Sequence, residues 1–253
     1  MEPSWRPATR ATVPPLCSCT ELTEVWRPLL PSRACSPSDT RCGSTRAGGE
    51  VGVDGPDYGL DREVEDVSAV LATVGDRAHL LGHSGGAVYC LLAAARRRSL
   101  RSLVLYEPPL HGDRFNPIVV EEVQAALDAG DPDRALEVLF PVGIAVEEEV
   151  RIIRSLPEVW TRACEGVGLV PRELRTAQGA IDRLTASDPP DIPTLYLYGE
   201  DTDASIFATP DEVAELLPNA QLHGLPAQRH LAFAFDPTSF AQAVLDFTTA
   251  HDG

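Results

Sequence analysis

The sequence has no lysine and only two asparagines, so arginine supplies all of its basic side-chain charge. Acidic residues outnumber basic residues 38 to 21, which gives a formal net charge of −17 at pH 7. Such an excess of negative charge repels phosphate backbones and anionic lipid headgroups. We therefore expect a small-molecule partner, and neither nucleic acid nor a membrane.

Long apolar runs are also absent. No stretch approaches the roughly 18 consecutive apolar residues that span a bilayer, and the start at residues 1–6 lacks the basic and apolar parts of a signal peptide. These absences predict a cytoplasmic protein. Cys17 and Cys19 have no histidine pair at zinc-finger spacing, so we expect no metal and no other cofactor.

The most informative run is Gly82-His83-Ser84-Gly85-Gly86. It follows a short apolar stretch at 78–81 and precedes a run at 87–95 with helical composition. A strand, Gly-x-Ser-x-Gly and a helix make the context of a nucleophile elbow, in which a tight turn holds the serine hydroxyl clear of the sheet. In that turn the amide of Gly85 points at the oxyanion that forms when the serine attacks a carbonyl.

Residues 56–253 alternate between strand and helix patterns. Apolar runs predict strands at 78–81, 103–106, 194–198 and 221–223, and amphipathic patterns predict helices at 61–74, 87–98, 210–217 and 237–249. This alternation predicts an α/β fold with a mainly parallel sheet and helices on both faces.

The segment 110–190 shows no strand pattern. It contains amphipathic helix patterns at 119–127, 134–140, 146–156 and 172–184. We predict that 56–109 and 191–253 form the core and that 110–190 forms a helical lid over an active site. The alternative is a longer crossover connection between two strands.

The order of the chemically active residues gives a second signal. Ser84 comes first, acidic residues follow Tyr198, and His230 comes last. With the segments 103–109, 193–199 and 228–232, this order resembles the α/β-hydrolase fold superfamily. The resemblance implies that Ser84 is the nucleophile and that His230 is the general base.

The resemblance leaves the acid of the triad open. Most members carry it a few residues after the strand that ends here at Gly199, where Asp201 and Asp203 lie. A second arrangement places it at the end of the preceding strand, which here is Glu107. Either carboxylate could hold the histidine tautomer and stabilise the imidazolium. We rank Asp201 first, with Glu107 close behind.

Residues 1–55 do not fit this pattern. Their six acids and six arginines cancel, and they contain no apolar run that predicts a strand. They also lack the His-Gly motif that the resemblance implies for a second oxyanion amide. We expect N-terminal strands that are degraded or absent.

Back-translation suggests a cause for this mismatch. Read one base backward, the codons of residues 17–22 permit an apolar strand followed by His-Gly. Read one base forward, those of residues 42–49 permit a loop that resembles the one after the next strand of the superfamily. We hypothesise that part of 16–54 is a frame-shifted translation. The alternative is a divergent N-terminal arm.

These observations predict a serine hydrolase that acts on a small carboxylic ester, thioester or lactone through an acyl-enzyme. Two alternatives stay open. One is a catalytically inactive binding protein with the same fold, and the other is a non-functional frame-shifted product. The sequence predicts neither the oligomeric state nor the individual substrate.

Overall fold

The structure, a computed structural model, describes residues 16–20, 44–45, 58–74, 77–96, 100–110, 116–185, 190–203, 205 and 207–252. Six strands form one sheet: Leu16–Thr20 (β1), Ser44–Thr45 (β2), His79–His83 (β3), Ser102–Tyr106 (β4), Thr194–Gly199 (β5) and Ala220–Leu225 (β6). Their order is β2-β1-β3-β4-β5-β6, and each neighbouring pair is parallel. The predicted parallel sheet is confirmed.

Ten α-helices lie within the described residues: Leu60–Val74 (α1), Gly85–Ala95 (α2), Pro117–Asp128 (α3), Pro132–Leu139 (α4), Glu147–Arg154 (α5), Pro157–Gly166 (α6), Val170–Thr185 (α7), Pro210–Leu216 (α8), Ala232–Phe235 (α9) and Pro237–Ala250 (α10). Five of them, α3 to α7, follow one another between β4 and β5. Helix α6 is an addition to the four helix patterns that the sequence shows there. Among all the described residues, no helix combines the length and the apolarity needed to cross a bilayer.

The central strands are buried on both faces, which explains their continuous apolar sequences. Alternate side chains enter two separate clusters, since successive residues of a strand point to opposite faces. Leu80 and Leu105 pack with α1 and α2, whereas Leu81 and Val104 pack with α10 and the helices between β4 and β5. Burial of each such side chain stabilises the fold by about 1.5–3 kcal/mol. The predicted helices on both faces are confirmed.

The strands β1 and β2 lie where the apolar content predicts no strand. β1 runs parallel to β3, with Cys19 opposite Gly82 and Thr20 opposite His83. β2 has two residues and pairs with β1. The expectation was of strands that are degraded or absent in this segment. The short strands found there pair through backbone groups, which the apolar content of the segment does not report. The alternative of a degraded strand fits the length of β2. The other predictions for residues 1–55 lie outside the described residues.

Parallel pairing brings the functional residues together. The carboxyl ends of β3, β4 and β5 lie side by side, so Ser84, Glu107 and the loop after Gly199 meet at one edge of the sheet. The loop after β6 reaches the same edge. Ser84 and His230, which are 146 positions apart in the sequence, therefore lie at the same end of the sheet.

Candidate active site

Ser84 occupies the sharp turn between β3 and α2. Its φ of 53° and ψ of −132° are values that residues with a side chain rarely adopt, so the turn is strained. Gly82 permits this turn, because a Cβ at that position would lie 2.5 Å from Ala87 Cα. The Ser84 amide donates to the Tyr106 carbonyl at 2.9 Å. The strand, strained turn and helix predicted around Ser84 are therefore present.

His230 lies on the loop after β6 and contacts Glu107. Its Nδ1 is 2.7 Å from Oε2 of Glu107, and both side chains are at most 2% exposed. Glu107 follows the last residue of β4 with a φ of 44°, again in the left-handed region. An ionised carboxylate can only accept hydrogen bonds. When Glu107 is ionised, Nδ1 of His230 donates to it, and Nε2 is left as the proton acceptor of the imidazole.

The second oxygen of Glu107 is held as well. Oε1 accepts from the Thr202 hydroxyl at 2.5 Å and from the Gly199 amide at 2.8 Å. Both donors come from the carboxyl end of β5 and the loop that follows it. With both oxygens occupied, the carboxyl group is fixed in one orientation toward the histidine.

Gly199 has a second part in this arrangement. A Cβ at Gly199 would overlap the backbone of Gln228 and Arg229, which immediately precede His230. The absence of a side chain lets the end of β5 approach this loop, and the amide of Asp201 donates to the Gln228 carbonyl at 3.0 Å. The glycine that ends β5 therefore determines the position of the loop that carries the histidine.

The aspartates that follow β5 lie elsewhere. Asp201, which the sequence ranks first as the acid, is half exposed and lies 3.5 Å from the guanidinium of Arg229. Asp203 is exposed, and its Oδ1 accepts from the Ser205 amide at 2.9 Å. The carboxylate that the structure brings to His230 is the second-ranked one, Glu107.

Burial controls the charge of this pair. It lowers the pKa of His230, which keeps the imidazole neutral at pH 7. It also raises the pKa of Glu107, while the hydrogen bonds from Thr202 and Gly199 act in the opposite direction. A neutral imidazole oriented by a carboxylate is the state from which a general base removes a proton.

Aromatic rings enclose the imidazole. Phe207 stacks on His230 with 4.1 Å between ring centroids, and the His83 ring lies 4.4 Å from it. Tyr106 is stacked at 6.2 Å. These rings exclude water from the hydrogen bond between His230 and Glu107, which strengthens that bond.

A cavity of about 520 Å³ reaches Arg229, the residue before His230, but Ser84, His230 and Glu107 are not among its lining residues. Its walls come from the segment between α4 and α5, from α5 itself and from the loops at the sheet edge; they include Phe140, Ile144, Val146, Val150, Asp201 and Arg229. The volume suits a small organic molecule. Among the residues that the structure describes, no group of three or more His, Cys, Asp or Glu side chains could hold a metal ion.

Thr202 and Tyr106 also contact the carboxylate and the loop of the histidine, and no sequence motif marks either residue. The Tyr106 hydroxyl donates to the Arg229 carbonyl and accepts from the Ala232 amide, so it contacts both sides of His230. Thr202 stands three residues after the glycine that ends β5, in the loop where the superfamily resemblance points only to the carboxylates Asp201 and Asp203. A buried carboxylate at the end of β4 needs donors from the next strand end. That requirement is the signal that could have identified Thr202.

The parallel sheet, the strained serine turn and the histidine–carboxylate pair define the class of α/β hydrolases. A model described as "Alpha/beta hydrolase family" matches residues 3–243. The chain belongs to the alpha/beta hydrolase family, and this membership supports its assignment as a hydrolase. The predicted fold is confirmed.

The similarity to individual proteins is either confined to a short segment or low in sequence identity. Over 58 residues the chain is 47% identical to N-formylmaleamate deformylase of Pseudomonas putida, and the match spans 22% of each protein. A solved alpha/beta hydrolase from Sphaerobacter thermophilus is 25% identical, with a TM-score of 0.71 over 93% of this chain and 92% of that one. MenH from S. aureus has a TM-score of 0.74, with 98% of each chain covered, at 15% identity. The likeness to MenH shows the fold alone.

Proposed function

We propose that this protein is a serine hydrolase in which Ser84, His230 and Glu107 form the catalytic triad. The observation that carries the proposal is the buried 2.7 Å hydrogen bond between His230 Nδ1 and Glu107 Oε2. Support also comes from the strained φ of Ser84, which is typical of a nucleophile elbow. Glu107 takes the place of Asp201 in this triad.

The first half of the reaction forms an acyl-enzyme. The Ser84 hydroxyl loses its proton to His230 Nε2 while its oxygen attacks the carbonyl carbon of the substrate. The carbonyl π electrons move to oxygen, and the amide of Gly85, at the first turn of α2, donates to the resulting oxyanion. When the tetrahedral intermediate collapses, the bond to the leaving group breaks and His230 returns the proton to that group.

The second half regenerates the enzyme. Water loses a proton to His230 Nε2 and attacks the acyl carbon, and the Ser84 oxygen leaves with the proton from His230. The product is a carboxylic acid. Throughout the cycle Glu107 stabilises the imidazolium that forms when His230 accepts a proton, and it does not itself need to be protonated.

The proposed substrates are small carboxylic esters, thioesters and lactones. The 520 Å³ cavity, which is lined by Arg229 directly before His230, has a size that suits a small organic substrate. The match to a deformylase adds an N-formyl amide to the compounds that should be tested. We further propose that 110–190 acts as a lid over the site, and that the protein is cytoplasmic.

A fluorophosphonate probe tests the proposal, because it reacts with an activated serine. We expect the wild-type protein to be labelled and Ser84→Ala to be unlabelled. Ser205→Ala is a matched control at an exposed serine and should be labelled like the wild type. If the folded wild-type protein is not labelled, or if Ser84→Ala keeps the label, the proposal is wrong and a non-catalytic binding protein is favoured.

A further inference from the structure

His83 links the elbow to the loop that carries His230. It is the last residue of β3 and directly precedes Ser84, and its side chain is 1% exposed. Its Nε2 lies 3.1 Å from the main-chain carbonyl oxygen of His230. Because a carbonyl oxygen only accepts, Nε2 carries the proton and donates it. The His83 side chain therefore links the chain next to Ser84, the proposed nucleophile, to the backbone of His230, the proposed base.

The other ring nitrogen of His83 has no such contact. Within the described residues, Nδ1 is buried without a hydrogen-bond partner. An unpartnered buried acceptor costs free energy. A phenyl ring would make the same contacts with Tyr106 and Phe233, whose centroids lie 5.3 and 4.8 Å away, without that cost. The property that histidine adds at this position is the Nε2–H donor.

Three consecutive carbonyls of the histidine loop are held in the same way. The Gln228 carbonyl accepts from the Asp201 amide, the Arg229 carbonyl from the Tyr106 hydroxyl, and the His230 carbonyl from His83. The donors come from the carboxyl ends of β5, β4 and β3 respectively. The backbone of this loop is therefore fixed by three adjacent strands, and His83 holds the residue that carries the imidazole.

We propose that His83 is a positioning residue that sets the distance and angle between Ser84 and the imidazole of His230. This inference rests on the proposed function of Ser84 and His230. One side chain and one hydrogen bond link their backbones. Loss of the donor therefore frees the loop carbonyl, while Ser84 and the glycines of the elbow keep their identity. Small displacements of a catalytic group reduce the rate of the chemical step more than they reduce substrate binding.

Three variants separate positioning from packing. His83→Phe keeps an aromatic ring and removes the donor. His83→Gln places an amide nitrogen near the position of Nε2, whereas His83→Asn places one near the position of Nδ1. We expect kcat of His83→Phe to fall by about 10- to 100-fold with KM within twofold of the wild type. We expect His83→Gln to recover most of this loss and His83→Asn to recover little of it.

Thermal unfolding of each variant shows whether a loss of kcat reflects a loss of fold. Wild-type kcat in His83→Phe would overturn the inference. If His83→Phe does not fold, His83→Gln and His83→Asn are compared with each other. A kcat of His83→Gln more than about fivefold that of His83→Asn supports the inference. A smaller ratio overturns it. These outcomes differ from a failure of the proposed function, in which the fluorophosphonate probe leaves the wild-type protein unlabelled and both proposals fall.

Discussion

Two sets of serine, histidine and acid lie at opposite edges of the same sheet. At the carboxyl edge, Ser84 follows His83, whose ring centroid lies 4.4 Å from that of His230, and His230 is hydrogen-bonded to Glu107. At the amino edge, His79 Nδ1 lies 2.6 Å from Ser102 Oγ, and His79 Nε2 lies 2.8 Å from Asp252 Oδ1. Both sets are buried around the imidazole, and both include a short hydrogen bond to a carboxylate.

The two serines differ in ways that decide their chemistry. Ser102 is the first residue of the regular strand β4 and is fully buried, so no carbonyl carbon can approach its oxygen. Its hydroxyl donates to Nδ1 of His79, because Nε2 donates to the carboxylate of Asp252. Ser84 is part-exposed on a strained turn at the amino end of a helix. We therefore expect reactivity at Ser84 and none at Ser102, although Ser102 is the serine with the observed hydrogen bond to a histidine.

The amino-edge set has a structural role instead. Asp252 accepts from His79, and Arg101 also contacts it, at 3.5 Å between Nη1 and Oδ1. Arg101 further donates to the main-chain carbonyl of Asp252. These contacts fasten the end of the chain, just beyond α10, to the starts of β3 and β4.

Substitution of His230 and of His79 by alanine should give the largest difference in kcat between the two edges. His230→Ala removes the proposed base, and kcat should fall by about a millionfold, as when a member of a triad is deleted. His79→Ala should leave kcat within threefold of the wild type and lower the midpoint of thermal unfolding, because it leaves Ser102 and Asp252 without their buried partner. Steady-state kinetics on an ester and thermal unfolding measure the two effects. A large loss of kcat in folded His79→Ala would contradict the division of roles between the two edges.

The acid at the carboxyl edge gives the next contrast. Glu107→Gln keeps the shape of the side chain and removes its charge, so kcat should fall by about ten-thousandfold. Asp201→Asn is the matched control in the first-ranked position, and its kcat should stay within threefold of the wild type, since Asp201 is half exposed beside Arg229. The ratio of the two kcat values identifies the acid. A greater loss in Asp201→Asn than in Glu107→Gln would restore the original ranking.

The hypothesis of a shifted reading frame also bears on the carboxyl edge. β1 ends with Thr20 opposite His83, the residue before Ser84. A frame-corrected chain would carry the His-Gly motif there and gain a second oxyanion donor. Labelling by the fluorophosphonate probe should then accelerate by about a hundredfold. Resequencing of the locus checks the premise, and a clean reading in the present frame would end the hypothesis.

The smallest expected effects concern pH. Burial lowers the pKa of His79, His83 and His230, so the unfolded chain binds more protons than the folded chain below about pH 6.5. The free energy of unfolding should therefore fall as the pH drops below 6.5. Glu107, whose pKa is raised by burial, has the opposite sign and offsets part of this loss. Urea unfolding at pH 7.5 and pH 5 measures the difference.

On the acid side, kcat/KM should fall at a lower pH than the pKa of a free imidazole would predict. The proposed base acts in its neutral form, and burial lowers the pKa of His230. The acid limb of kcat/KM should thus lie below pH 6.5. A limb at or above pH 6.5 would show that the attraction of Glu107 for the imidazolium outweighs burial.

The strained turn at Ser84 and the loop position of His230 were predictable because their signals are local. Ser84 lies in a pentapeptide between a strand pattern and a helix pattern, and only glycine at position 82 allows the turn. The prediction of His230 depended on its place after the last strand, in agreement with the resembled superfamily. β1 escaped prediction because its pairing uses backbone groups, which the pattern of apolar side chains does not report.

The sequence by itself determined the parallel α/β architecture, the strained serine turn and the loop position of His230, because periodicity and glycine placement act over a few neighbouring residues. Only the tertiary structure shows that Glu107, and not Asp201, contacts His230, and only it reveals the link from His83 to the His230 backbone. Those contacts join strand ends that are more than a hundred positions apart in the chain. Their geometry depends on the register of β3, β4 and β5 and on the approach of the histidine loop, which no local pattern encodes.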